Sequence, residues 1–261
     1  MKLSCSDVAM TFRGREGEVV ALDGVDLGVG EAEFVSIVGP SGCGKSTLLN
    51  VLAGLIAPTR GEIRLDGRER ALLGHVGYMP QKDLLMPWRS VLDNVTLGLE
   101  IEGLGRREAR SRAVAELDRF GLAGFERRWP KSLSGGMRQR AALLRTVLAG
   151  RDVMLLDEPF GPLDALTRQT MQEWLLEVWQ TDRKTILLVT HDVEEAIYLS
   201  DRVHVMSPRP GRIQMSFEID LPRPRPIEVI TTPEFVALKR QLLEPLRAAA
   251  RTARNQLEDA A

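Results

Sequence analysis

The stretch Gly39–Thr47, GPSGCGKST, restricts what this chain can fold into more than any other. From Gly39 to Ser46 it satisfies G-x-x-x-x-G-K-[ST], directly after the apolar run FVSIV and before the helix-like TLLNVL. In a strand–loop–helix setting the glycines let backbone N–H groups turn inward onto phosphate oxygens, in conformations that side chains forbid. The helix start adds the positive end of its dipole. Lys45 then reaches the terminal phosphates as a point charge, and the Ser46 hydroxyl is placed to ligate Mg²⁺. By composition alone such a match arises in roughly one in a hundred chains of this length, and the matching flanks lower those odds further.

The rest of the chain supplies the strands and helices that such a loop needs. FVSIVG (34–39), DVMLLDEP (152–159) and KTILLVTHD (184–192) are short apolar strands, the last two separated by the helix-like ALTRQTMQEWLLEVWQ (165–180). This alternation predicts an α/β fold built on a mostly parallel sheet. VVALDGVDLGVG (19–30) is β-rich with Asp-Gly and Gly-x-Gly turn signals, and GEIRLDG (61–67) alternates as a half-exposed strand does. Together they predict an antiparallel β subdomain near the N-terminus. The Arg-, Ala- and Leu-rich region at about 88–150 predicts an inserted α-helical subdomain. After 207 a turn, an edge strand and the stiff PRPRP segment are expected. A C-terminal helical tail follows at 231–261, with Pro245 expected to break it in two and residues 1–230 forming the main domain.

Composition sets limits on function. With 44% hydrophobic residues in 261, the chain can bury a sizeable core. The 35 basic and 36 acidic residues leave a formal charge of -1, which argues against a nucleic-acid partner held by a strongly basic surface. Cys5 and Cys43 provide neither a disulfide framework nor paired metal spacing, so a reducing, cytosolic compartment is expected. The start MKLSCSDVAMTF lacks the apolar core of a secretory signal, and no run approaches the ~18 apolar residues of a membrane span. Any work at a membrane is therefore expected to go through a partner.

Three further elements carry chemistry. VMLLDEP is an apolar strand ending in carboxylates: Asp157 is placed for Mg²⁺, while Glu158, pointing the other way, suits a general base toward water. His191 ends TILLVTHD, whose tip is expected at the same sheet edge, where ligands of open α/β sheets bind. An isolated histidine is more often structural, and His75 and His204 are read so. The last element is LSGGMRQR (133–140), where Ser134, Gly135 and Gly136 open a predicted helix and form a second anion-binding element.

GPSGCGKST, LSGGMRQR, VMLLDEP and LLVTHD, in this order and over essentially the whole chain, resemble the ATP-binding cassette (ABC) ATPases. The Leu-Ser-Gly-Gly signature discriminates, because most phosphate-loop ATPases lack it. The resemblance implies ATP and Mg²⁺ at Gly39, Pro40, Ser41, Gly42, Cys43, Gly44, Lys45, Ser46 and Thr47, with Ser46, Gln81 and Asp157 toward the metal. It implies catalytic roles for Glu158, His191 and Gln81, the last in YMPQKD, and adenine stacking on Phe12. It also implies a head-to-tail homodimer in which Ser134, Gly135 and Gly136 of one subunit cover the γ-phosphate held by the other. Asp164 in GPLD matches the loop that crosses that interface, although Pro162 stands where alanine is common and removes an N–H.

EPFGPLDALTR, LMPWRSVLDNVTLGLE and PRPGRI…DLPRPR look like the ATPase subunits of nitrate/sulfonate/taurine-type importers. This narrower resemblance implies transport of a small anionic solute from the cytoplasmic face of the membrane. Transmembrane permease subunits would be direct partners and an extracytoplasmic solute-binding protein an indirect one. A tail of this length is not expected to form the regulatory domain of sugar-importer cassettes. A soluble ABC ATPase of DNA repair or translation, or an exporter subunit, is the alternative. Cys43, inside the phosphate loop, is expected to be alkylated with loss of activity and protected by ATP. KDLLMPW after Gln81 is a candidate partner surface with Trp88 at its rim. Arg106, Arg107, Arg110, Arg112, Arg127 and Arg128 read as a solvated face.

Overall fold

The computed structural model describes residues 1–14, 17–69 and 72–258, with 249–258 as helical backbone. In chain order the elements begin with β1 (Leu3–Gly14), β2 (Gly17–Val29), β3 (Phe34–Val38) and α1 (Lys45–Leu52), then β4 (Arg60–Leu65), β5 (Arg68–Glu69) and β6 (Gly77–Met79). Four helices follow: α2 (Val91–Val95), α3 (Leu97–Ile101), α4 (Arg106–Leu117) and α5 (Gly135–Leu148). The chain then alternates β7 (Val153–Asp157), α6 (Ala165–Asp182), β8 (Thr185–Val189), α7 (Val193–Leu199), β9 (Arg202–Met206) and β10 (Ile213–Glu218), and ends in α8 (Pro233–Glu258).

The large sheet has the order β10-β9-β3-β8-β7-β6, with only the edge strand β10 antiparallel to its neighbour. Its central strands are apolar throughout because both faces are covered. Phe34, Met154, Leu156, Ile186 and Leu188 point into a core under α5, α6 and α7. Their alternates Val35, Ile37, Leu155 and Leu187 point into a second core around α1 and the small sheet. That small sheet, β2-β1-β4-β5, is antiparallel.

Two expectations need correction. The Asp-Gly pair at 23–24 makes no hairpin: β2 runs straight through, and the register against β1 shifts between Val8 and Met10 while Gly24 takes φ 66°. A glycine at positive φ absorbs an extra residue as a bulge as readily as it turns a chain. Pro245 does not divide the last helix either, since α8 is continuous across it. The only bond lost is to the carbonyl of Gln241, an exposed residue where water can replace the donor. One turn earlier Leu242, like Phe235, is fully buried in the larger core, so packing holds the helix together.

Candidate functional site

All the parallel strands end on one edge of the large sheet, so the loops after β3, β6, β7, β8 and β9 meet there. The loop after β3 closes on α1, whose N-cap Gly44 has φ 105°. A Cβ at Gly44 would lie 2.8 Å from both the Ala21 carbonyl oxygen and Leu22 Cδ2, so only glycine fits this turn. Lys45 is buried, and its Nζ donates to the carbonyls of Gly39 (2.8 Å) and Pro40 (2.9 Å). A cleft of about 470 Å³ opens over the loop. Ser41, Gly42, Gly44, Lys45, Ser46 and Thr47 line its floor, Phe12, Val19 and Ala21 one wall, and Gln81 and Glu158 the other. Phe12 is 42% exposed and stands opposite Val19 across β1 and β2. An apolar rim over a loop that can hold phosphates suits a nucleotide.

Glu158 is the centre of the polar wall. It lies one residue beyond β7, so its direction is set by a left-handed φ of 48° and not by the strand pleat assumed from sequence. A side chain at such a φ costs about 1–3 kcal/mol and persists only where neighbours fix it. Here Glu158 N donates to Val189 O at 2.8 Å, and Gln139 Nε2 donates to Glu158 O at 3.3 Å. Gln81 Nε2 donates to Glu158 Oε2 at 3.2 Å, and His191 Nδ1 lies 3.3 Å from Oε1. Residues from the tips of β6, β7 and β8 thus converge on one carboxylate.

Asp157, the preceding residue, is buried beside the Ser46 hydroxyl, with Oδ1 unpartnered among the described residues. Burial raises its pKa, and the hydroxyl opposes the rise. A buried carboxylate oxygen without a donor beside a hydroxyl fits Mg²⁺, which takes few protein ligands and completes its shell with phosphates and water. No group of three or more His, Cys, Asp or Glu side chains among the described residues could hold a metal by itself.

The fold does not bring every expected residue to the cleft. Ser134 caps α5, its Oγ accepting from Met137 N (3.2 Å), and Asp164 caps α6, accepting from Thr167 N (3.0 Å). Neither they nor Gly135 and Gly136 line the cleft. They form a neighbouring patch instead: a Cβ at Gly136 would sit 3.1 Å from Leu163 Cδ2 and 3.7 Å from the Pro162 carbonyl. The loop after Gln81 is tied to the same helix, with Arg138 Nε 3.0 Å from Asp83 Oδ2 and Arg145 donating to the carbonyls of Asp83 and Leu84, each at 2.8 Å. Leu84 and Trp88 point outward, while Leu85 is core. Of the six arginines read as a solvated face, Arg110 is half-buried, 2.7 Å from Asp93, and Arg106, Arg107, Arg112, Arg127 and Arg128 are exposed. His75 is exposed; His204 is buried against Ser216 Oγ (2.7 Å), and burial pushes it down to about 4.

Sequence reasoning missed Arg209. Its guanidinium lines the cleft and donates to the Gly42 carbonyl at 3.1 and 3.3 Å. The turn that carries it is wedged in place, because a Cβ at Gly211 would come within 2.2 Å of the Cys43 carbonyl. The available signal was the glycine of PRPGR, just past β9 at the active edge.

The expected ATP-protected alkylation of Cys43 gives way for a related reason. Its side chain is buried near Gly39 and Met206, and burial pushes the thiol pKa up although Lys45 pulls it down. A shielded thiol that resists ionising reacts slowly. Cys5 is buried too and is pushed up to about 12. Maleimide should therefore label neither cysteine of the native protein readily and both once guanidinium unfolds it. Rapid native labelling of Cys43 would mean that the phosphate loop opens.

Among the described residues no helix is long and apolar enough to cross a membrane. Compared with known proteins, residues 22–161 match the family described as ABC transporter. An uncharacterized ABC transporter ATP-binding protein of Methanocaldococcus jannaschii is 46% identical, over 95% of this chain and 92% of its own length. A taurine import ATP-binding protein of Rhizobium johnstonii is 43% identical, over 95% of this chain and all of its own. A nitrate import ATP-binding protein of Synechocystis is 41% identical, over 95% and 96%. A bacterial ABC transporter cassette solved as a dimer superposes with a TM-score of 0.78 at 31% identity, over 84% of this chain and 99% of that one.

Proposed function

The chain belongs to the ABC transporter family of ATPases, and from that premise we propose that it powers a membrane importer for a small anionic solute of the nitrate, sulfonate or taurine kind. The observation that carries the hydrolytic reading is the convergence of Gln81, Glu158 and His191 beside the phosphate loop. The importer reading is supported by relatives named for taurine and nitrate import.

In this reading the loop amides and Lys45 hold the β- and γ-phosphates, and Phe12 takes the adenine. Glu158 accepts a proton from water as the water oxygen attacks the γ-phosphorus. The bond to the β–γ bridging oxygen breaks, leaving ADP and phosphate. His191 steadies the γ-phosphate and, with Gln81, orients the Glu158 carboxylate. Ser46, Gln81 and Asp157 are the residues that would hold Mg²⁺, which neutralises charge on the phosphate oxygens.

The patch of Ser134, Gly135, Gly136 and Asp164 lies apart from its own cleft. Two copies arranged head to tail would let each patch cover the other's γ-phosphate, and a solved relative is a dimer. Closing that pair on ATP and reopening it after hydrolysis would move permease subunits seated on the Leu84–Trp88 surface. The protein would then work at the cytoplasmic face of the membrane and meet an extracytoplasmic solute-binding protein only through those subunits.

The test is to purify the tagged chain from gently solubilised membranes and identify every co-purifying protein by mass. A stoichiometric multi-span partner is expected. A preparation without one, retaining nucleic acid or ribosomes instead, would overturn the importer reading.

A further inference from the structure

Among the described residues the hydrolytic reading leaves one buried acid unused. Glu195, in the first turn of α7, is enclosed between that helix, α6 and the loop that carries His191. Gln172 Nε2 of α6 donates to its Oε2 at 3.2 Å. Its Oε1 is buried and makes no hydrogen bond of ordinary geometry, which favours the protonated form. Burial accordingly pushes the carboxyl up to about 7, opposed by the Thr190 hydroxyl that faces it.

Thr190 connects this acid to His191. Its backbone N–H donates to Ile37 O at 3.2 Å, and its Oγ1 accepts from Asp192 N at 3.0 Å, so Thr190 is tied by its backbone to β3 and by its hydroxyl to the residue after His191. Asp192 Oδ1 in turn accepts from Glu194 N and Glu195 N at 2.9 and 3.3 Å. On α6, Arg168 reaches both ways. Its Nη2 donates to Leu163 O at 3.1 Å, beside Asp164, and its Nη1 lies 3.6 Å from Asp192 Oδ2. The loop of His191 thus packs over Glu195, whose carboxyl faces the Thr190 hydroxyl, and is met from the side by Arg168 of α6, the helix capped by Asp164.

We propose that Glu195 is a positioning residue for hydrolysis: through Thr190, and with Gln172 and Arg168 of α6, it fixes the 190–192 loop so that His191 meets Glu158, linking the turn before α6 to the reacting phosphate. The inference rests on the hydrolytic reading above. Misplacing a group by about 1 Å can lower a rate on the order of 10²-fold without altering substrate binding, and the loss falls on kcat.

The experiment measures ATP hydrolysis by the full-length chain as wild type, Glu195→Ala, Glu195→Gln and His191→Ala, and by the Glu195→Ala, His191→Ala double variant. Glu195→Ala is expected to lower kcat at least tenfold with KM for ATP within about twofold. Glu195→Gln, which keeps the shape and neutrality of the protonated acid, should stay within about threefold of wild type. In the His191→Ala background, Glu195→Ala should cause no further loss, because residues acting as one unit are not additive. If Glu195→Ala fails to fold, Thr190→Val removes the same link with little change in volume and should give the same kcat loss. Unchanged kcat in these variants, or a full additional loss in the His191→Ala background, overturns the role of Glu195 while leaving the site reading intact. Normal turnover by His191→Ala removes the site reading itself, and the proposal with it.

Discussion

Glu158→Gln is expected to lower ATP turnover by about 10²–10⁴-fold, the usual contribution of a general base, while ATP still binds. The substitution keeps the size of the side chain and its capacity to bond with Gln81 and His191, now 3.2 and 3.3 Å away. What it removes is the ability to take a proton. Binding should survive because the proposed reading assigns the phosphates to other groups, Lys45 and the loop amides of 39–47. Folding should survive as well. The left-handed φ of 48° burdens either residue equally, and the bonds fixing the turn, to Val189 O and from Gln139, use the Glu158 backbone. A variant that binds ATP and cannot hydrolyse it should also accumulate as a dimer, visible as a nucleotide-dependent shift on gel filtration. Turnover within a few-fold of wild type would remove Glu158 as the base.

The largest loss of stability is expected from Arg225→Ala, at about 3–5 kcal/mol. PRPRP, read from sequence only as a stiff segment, is a fastening. The Arg225 guanidinium is buried, and burial lowers its pKa to about 10, so it stays charged at neutral pH. It donates to the carbonyls of Ile197, Tyr198 and Ser200 at the end of α7, at 3.0, 3.1 and 2.7 Å, and to Ile219 and Leu221 at 3.2 and 3.3 Å. A cation among the last carbonyls of a helix also meets the negative end of its dipole. Next to it Arg223 pairs with Asp201 at 2.8 Å and lies over the Trp179 ring at 4.2 Å. Truncating Arg225 strands several buried acceptors at once, and each unsatisfied acceptor costs about 1–3 kcal/mol. For a domain of this size the melting temperature should fall on the order of 10 °C. A fall of less than about 2 °C would show that the segment docks without this residue.

Much of the protein was written locally. The phosphate loop was legible because its glycines answer a backbone requirement within a few residues, as Gly44 with its φ of 105° demonstrates. The strands FVSIV, VMLLD and TILLV were legible because strands covered on both faces must be apolar throughout, and they coincide with β3, β7 and β8. Ser134 was visible for the same local reason, as the residue opening a predicted helix, whereas Asp164 came only from the family resemblance; both cap helices and lie outside their own cleft.

Contacts between distant residues were decided elsewhere. The strand order places β8 between β3 and β7, and so sets His191 between the phosphate loop and Glu158. Nothing within KTILLVTHD encodes that neighbour. Gly24 and Pro245 were misread because local propensity is worth on the order of 1–3 kcal/mol per residue, which pairing in a sheet or burial of Leu242 can override. Arg209 and Arg225 escaped notice because an arginine bonded to backbone carbonyls has no sequence partner to reveal it. By itself the sequence determined the loop, the strands and the chemistry they can carry. The tertiary structure decided which of those groups meet, because strand order and register depend on packing summed over the whole chain.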